Sequence, residues 1–260
     1  MTIFDDLAAE QERLEKILFG LDEAQWTSPS EAPGWTIGDV VLHLAQSEER
    51  VQATAAHQRP RTGLDAVAGA TTDEWAAEMV RRERAAPAEV FARWQRARRA
   101  ALAAVRAADP DQALEWVTGP VKPTTLATTR LAEHWAHGLD ITGPFGIEFP
   151  DTERLRQVAW LAHRTLPYAL SLAGQPPVAV RCELTAPDSA ASGSAASGSA
   201  ASGSADTWRF GPEEAESTIT GTAGDFCRVA AQRLDPAQSG LRASGPHGAA
   251  ALRVLRTYAA

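Results

Sequence analysis

Arg130-Leu-Ala-Glu133-His134-Trp-Ala-His137-Gly-Leu-Asp140 is the stretch on which the fold of this chain turns. At roughly 100° per residue in a helix, Arg130, Glu133, His137 and Asp140 fall within roughly 60° of one another. Leu131, Trp135 and Leu139 take the opposite side. The stretch therefore reads as an amphipathic helix whose polar face carries chemistry. Glu133 and His137 stand four residues apart, one turn, so both can reach a single ion. An ordinary solvated polar face has the same pattern. His134 points roughly 100° away from Glu133 and reads as a supporting or surface residue.

Upstream, His43 in Val40-Val-Leu-His43-Leu-Ala is the third candidate ligand. It sits at the edge of an apolar helical face, with Asp39, Ser47 and Arg50 beside it. A lone histidine there also fits a hydrogen-bonded core position. Together the three residues offer two imidazoles and a carboxylate. Such a set is usual for catalytic zinc and leaves a position open; it also resembles the ligands of non-haem iron oxygenases. Asp140 is a candidate general base. His57, near a helix end, His163 and His247 carry less, and Glu48 and Glu49 read as a solvated face. The sequence has no GxGxxG, GxxxxGK[ST] or GxSxG motif, which disfavours nucleotide cofactors and a serine hydrolase.

Helical spacing organises the first two-thirds of the chain. Phe4, Leu7, Leu14, Leu18 and Leu21 predict a helix over about 3–21. Pro33-Gly34 marks a turn, and Thr36 caps a helix over about 37–57. Residues 60–71 read as a loop. Thr72 or Asp73 opens a long stretch to about Ala108, interrupted at Ala86-Pro87. A fourth helix runs over about 124–141. Four helices with short links predict a four-helix bundle. Asp151 opens a fifth helix to about Leu172. Alternation then predicts strands at 178–184, 207–210 and 217–220, with helices at about 224–234 and 246–258. The expected fold is α+β, mainly α: a metal-binding bundle over 1–148, then a small α+β domain over 149–260. The Ser-Ala-Ala-Ser-Gly repeat within 189–205 has linker composition and reads as an expanded hairpin loop.

Bulk composition excludes other classes. The 260 residues suffice for a real core. A formal net charge of −8 argues against non-specific binding to nucleic acid or an anionic membrane. Only Cys182 and Cys227 are present, with no disulfide framework, which suits a reducing compartment. The acidic start Met1-Thr-Ile-Phe-Asp5-Asp6 is unlike a secretory signal, and no stretch reaches the length of a membrane span. The expectation is a soluble, cytoplasmic protein.

Pro33-Gly-Trp-Thr-Ile-Gly-Asp-Val-Val-Leu-His43-Leu resembles the opening motif of the mycothiol-dependent maleylpyruvate isomerase family, one of the DinB-like metal-binding bundles. The stretch from Arg130 to Asp140 is similar to that family's second motif. Gly221-Thr-Ala-Gly-Asp-Phe226, Gln232-Arg233-Leu234 and Ala243-Ser-Gly245-Pro246 resemble the C-terminal domain of an actinobacterial branch. The resemblance covers nearly the whole chain outside the insert. It implies that His43, Glu133 and His137 hold a divalent metal, usually taken as Zn2+. It also implies mycothiol as co-substrate, an active cleft between bundle and C-terminal domain, and a catalytic role for Arg233. The isomerases tend to carry glycine where this chain has Gln232.

Three functions follow as alternatives. The first is a thiol-dependent isomerase or S-transferase, in which the metal lowers the pKa of mycothiol and the thiolate adds to an activated double bond. The second is a metal-dependent hydrolase or lyase with Asp140 as base. The third is a non-catalytic metal- or ligand-binding module. The partners expected are a small-molecule substrate and a thiol. An anionic substrate would need a basic residue, for which Arg130 and Arg233 are the candidates. Arg130 could instead orient Glu133 by a charge-assisted hydrogen bond, and Arg233 could be a helix C-terminal cation.

Overall fold

The computed structural model describes residues 2–56, 71–117, 119–188 and 206–257. His57, most of the expected loop at 60–71 and the insert at 189–205 lie outside the described residues. Met1–Phe149 form one compact unit and Pro150–Ala259 a second.

The first unit contains α1 (Ile3–Phe19), α2 (Glu23–Thr27), α3 (Ile37–Ala55), α4 (Thr72–Arg82), α5 (Pro87–Ala107) and α6 (Pro123–Thr142). The long helices α1, α3, α5 and α6 make the bundle. Their starts are set locally. Thr2 with Asp5 and Thr36 with Asp39 close reciprocal capping boxes on α1 and α3. Prolines at the first position open α5 and α6. Gly34 adopts a left-handed φ of 80° in the turn before α3. The core is filled by residues such as Leu14, Val41, Leu44, Trp94, Leu126 and Trp135, all buried. Gly138 lets Phe149 lie against α6: a Cβ there would meet the Phe149 ring at 2.4 Å.

The structure divides one expected stretch where the proline interrupts it and adds one short element. The stretch expected over 72–108 with an interruption at Ala86-Pro87 is two helices, the first capped by Thr71, separated between Glu83 and Ala86. Ala86 is held extended (ψ 146°) by the proline that follows it. Helix α2 is an addition, a single capped turn anchored by buried Trp26. It is too short for a helical period to show in sequence.

The second unit contains α7 (Leu155–Leu172), β1 (Val180–Thr185), β2 (Thr207–Phe210), β3 (Ser217–Thr222), α8 (Ala223–Ala230), β4 (Arg242–Ser244) and α9 (Gly248–Val254). The sheet order is β2-β1-β3-β4. Strand β1 pairs antiparallel with β2, as a hairpin requires, and parallel with β3. Val180, Cys182 and Leu184 alternate into the core, opposite Ser217 and Ile219 of β3. The chain leaves β2 beside the start of β1 through Gly211, at φ 84°, where a Cβ would sit 2.3 Å from the Val180 carbonyl. Asp151 does not open α7. Its carboxylate accepts two hydrogen bonds from Arg228 of α8, at 2.8 Å each, and the helix begins at Leu155. Helices α8 and α9 are shorter than the 224–234 and 246–258 expected. The short β4 was not expected at all.

Candidate metal centre

Residues of α3 and α6 meet in an antiparallel register. His43 lies opposite Glu133 and His137, and Glu48, further along α3, lies opposite Arg130, earlier on α6. This register converges the three expected ligands. One donor atom from each of His43, Glu133 and His137 lies within 4.8 Å of the others. Glu133 Oε2 stands 3.7 Å from His43 Nε2 and 3.5 Å from His137 Nε2. Ligands bound to one tetrahedral zinc at about 2.0–2.1 Å would stand about 3.3–3.5 Å apart. The donor set therefore fits one divalent ion with little adjustment.

The surroundings of this trio favour an open site. The Glu133 side chain is 35% exposed, whereas His43 and His137 are 17% and 12% exposed. Solvent therefore reaches the cluster from the Glu133 side, as a catalytic site needs and a closed structural site does not. Trp35, from the turn before α3, packs its ring against both imidazoles, at centroid distances of 5.1 and 6.4 Å.

Asp140 is fully buried on α6 and accepts a hydrogen bond from His137 Nδ1 at 2.8 Å. That bond fixes the His137 tautomer and leaves Nε2 free to ligate, the carboxylate–histidine arrangement common behind metal ligands. It also changes the expected role of Asp140. The carboxylate is engaged with His137 rather than standing open as a general base. Burial alone would push His137 down, but Asp140 and Glu133 hold it above its ordinary range. Burial pushes His43 down. Burial would raise Glu133, yet the hydrogen bonds from His137 and His43 keep its carboxyl well below the usual range. At neutral pH Glu133 is thus an anion facing two imidazoles. Asp140→Asn is expected to weaken metal affinity roughly 10–100-fold, the usual cost of losing such a partner, with the fold intact. Competition against a chelating dye measures it, and unchanged affinity would remove Asp140 from the centre.

Residues 7–142 match the family described as the mycothiol maleylpyruvate isomerase N-terminal domain. This chain belongs to that family. An uncharacterized protein of Mycobacterium tuberculosis is 33% identical over 262 residues, covering 98% of this chain and 94% of its own, and its counterpart in a second strain matches equally. A crystal structure of the mycothiol-dependent maleylpyruvate isomerase aligns with a TM-score of 0.57 at 16% identity, covering 93% of this chain and 91% of its own. A histidine-to-alanine mutant of that enzyme aligns at 0.59 and 15% over the same shares. At such identity the likeness shows the fold: a DinB-like bundle followed by a small α+β unit.

Within this maleylpyruvate isomerase-type bundle, three sequence expectations change. Glu48 is not a solvated acid but 1% exposed, accepting a hydrogen bond from Arg130 Nε at 2.9 Å. Arg130 accordingly turns to α3 rather than donating to Glu133, although its charge still helps to hold Glu133 ionised. Of the two places expected for His134, supporting or surface, the surface one is excluded, for the residue is fully buried. Its Nδ1 donates to the Arg130 carbonyl at 2.8 Å and its Nε2 accepts from Trp94 Nε1 at 3.3 Å. Burial and the nearby Arg130 push His134 down to about 3, so it is neutral and structural. Glu49 remains partly exposed and pairs with Arg93.

Arg233 lies beyond the end of α8, with its side chain donating to the Ala231 carbonyl at 3.0 Å. The backbone here forms a Schellman turn: Arg233 N–H donates to the Arg228 carbonyl and Gln232 N–H to that of Val229. Gln232 takes the left-handed position at φ 60°, where glycine is the usual residue. Its amide offsets the strain by donating to the Val229 and Leu255 carbonyls. The departure from the isomerases' glycine is therefore accommodated by the same turn. His163 donates to the Val180 carbonyl, and His247 stands at the N-cap position of α9 with no side-chain cap hydrogen bond.

Proposed function

We propose that this protein binds one divalent metal, most simply Zn2+, through His43, Glu133 and His137. We further propose that it catalyses a thiol-dependent isomerisation or S-transfer on a small electrophile, with mycothiol or a similar low-molecular-weight thiol as co-substrate. The observation that carries this reading is the convergence of two imidazoles and one carboxylate, open on the Glu133 side, in a bundle of this family. A divalent ion held there would lower the pKa of a thiol brought to it. The protein's own part is to present His137 Nε2 through Asp140, to keep Glu133 ionised and to wall the site with Trp35. Addition of the external thiolate to an activated double bond, rotation and elimination would isomerise the bond and return the thiol. Retention of the adduct would be S-transfer.

The chain's own thiols support an external nucleophile. Cys182 and Cys227 are both buried. Burial pushes Cys182 up to about 12, and Cys227 well above its ordinary range. Neither supplies thiolate near neutral pH. Hydrolysis finds less support, because Asp140, its candidate base, is occupied by His137. Location in the cytoplasm is part of the proposal; among the described residues, no helix is long and apolar enough to cross a membrane.

The reading predicts turnover of activated cis-alkenes or other soft electrophiles only when metal and thiol are both present. A screen of such electrophiles with and without mycothiol checks it. Equal turnover of esters or amides without thiol would favour the hydrolase instead.

A further inference from the structure

The end of α3 beyond the metal centre carries a cluster of cationic and hydrogen-bonding groups with few acceptors. Arg50 follows His43 by seven residues, two turns, so it lies on nearly the same helix face and roughly 10 Å further along the axis. Its guanidinium packs over the Trp75 ring of α4 at 3.9 Å. Among the described residues it has no hydrogen bond and no ion pair. Three neighbouring groups are also unsatisfied. Among the described residues, Arg130 Nη2 and Trp75 Nε1, both buried, have no hydrogen-bond partner, nor does the buried hydroxyl of Thr54, one turn after Arg50. Arg130 Nε is taken by Glu48, which neutralises that arginine. Among the described residues the net surplus is one positive charge, on Arg50.

We propose that Arg50, stacked on Trp75 and backed by Arg130, is an anion-binding residue for the carboxylate of a small-molecule ligand. A buried unpaired donor costs free energy and is rarely left so, and here Arg50 stacks on Trp75 and lies within electrostatic reach of Arg130, each of which has such a donor among the described residues. One uncompensated charge matches a monoanionic carboxylate better than a dianionic phosphate. The planar guanidinium fork fits a carboxylate edge-on while its face rests on the indole. Burial and repulsion from Arg130 lower Arg50 to about 10. The Arg50 residue is itself only half-buried, so a ligand can reach it. As the anchor of the electrophile, this site rests on the metal–thiol reading above; as an anion site it does not.

The test is ligand-observed NMR with butyrate as probe, its neutral amide butyramide as control, and the full-length, metal-loaded protein. Butyrate is expected to bind and butyramide not. Arg50→Gln is expected to weaken butyrate at least about tenfold, the loss of one charge-assisted hydrogen bond. Arg50→Lys, which keeps the charge and loses the fork, is expected to fall between. Chelating the metal is expected to leave butyrate binding in place. Overturning results are no butyrate binding by the parent protein, equal binding of butyramide, affinity unchanged in Arg50→Gln, or loss of binding on chelation alone. Arg50-dependent binding of inorganic phosphate tighter than that of butyrate would overturn the carboxylate assignment. Arg50-dependent butyrate binding in a protein without metal or thiol turnover would uphold this site while refuting the proposed function.

Discussion

Glu133→Ala/His137→Ala is expected to purify without a bound divalent ion, whereas the parent protein carries about one per chain, as a single three-ligand site would. The loss should far exceed the roughly 10–100-fold expected for Asp140→Asn, because a lone imidazole at His43 is no chelate. Each single alanine at His43, Glu133 or His137 should also weaken binding severely. His163→Ala should not, since that imidazole is bonded to the Val180 carbonyl in the other unit. Elemental analysis after dialysis measures the content. Full occupancy in the double variant would place the metal elsewhere.

Arg130→Met is expected to destabilise the bundle by about 3–5 kcal/mol, the cost of leaving one member of a buried ion pair uncompensated. Glu48 and Arg130 are 1% and 4% exposed in their side chains, so solvent cannot take the place of the missing charge. Replacing both members, as Glu48→Leu/Arg130→Met, should recover most of the loss, because a packed apolar pair removes the stranded carboxylate. The pH dependence has a definite sign. Burial raises Glu48 above its unfolded value, with Arg130 opposing. A carboxyl raised on folding binds protons more readily in the native state, so acid favours that state as pH falls through the raised value. Without Arg130 the rise is larger. The deficit of Arg130→Met should therefore shrink as pH drops from neutral toward the carboxylate range. Denaturant unfolding at two pH values measures it; a deficit that grows on acidification would contradict the assignment.

These effects show how far the sequence could be read. The metal trio was legible because helical spacing places Glu133 and His137 one turn apart, and the motif around His43 resembles a known partner for them. The polar layer beneath was not, because a charged residue on a helix ordinarily marks a solvated face. A signal was there: Val41, Leu44, Glu48 and Val51 follow one another at helical spacing, and all four are buried. Likewise Leu131, His134 and Trp135 share a buried stripe on α6. A charged or imidazole residue in an apolar line implies a buried partner on a facing helix. The bundle itself followed from periodicity and caps. The sheet order did not, since placing β1 between β2 and β3 depends on long-range pairing. Three-residue β4 and one-turn α2 carry too few side chains to show a period. In the sequence Arg50 is only a neighbour of His43; that it stacks on Trp75 without an ion pair among the described residues is visible only once the packing around it is known.

The most direct test of the central claim is the number of protons released when mycothiol is titrated into the metal-loaded protein near neutral pH. It is read calorimetrically in buffers of differing ionisation enthalpy. If the His43–Glu133–His137 centre draws the thiol into its anionic form, about one proton per chain should leave on binding, and none after the metal is chelated. Thiol binding without proton release, or the same release from metal-free protein, would contradict the account.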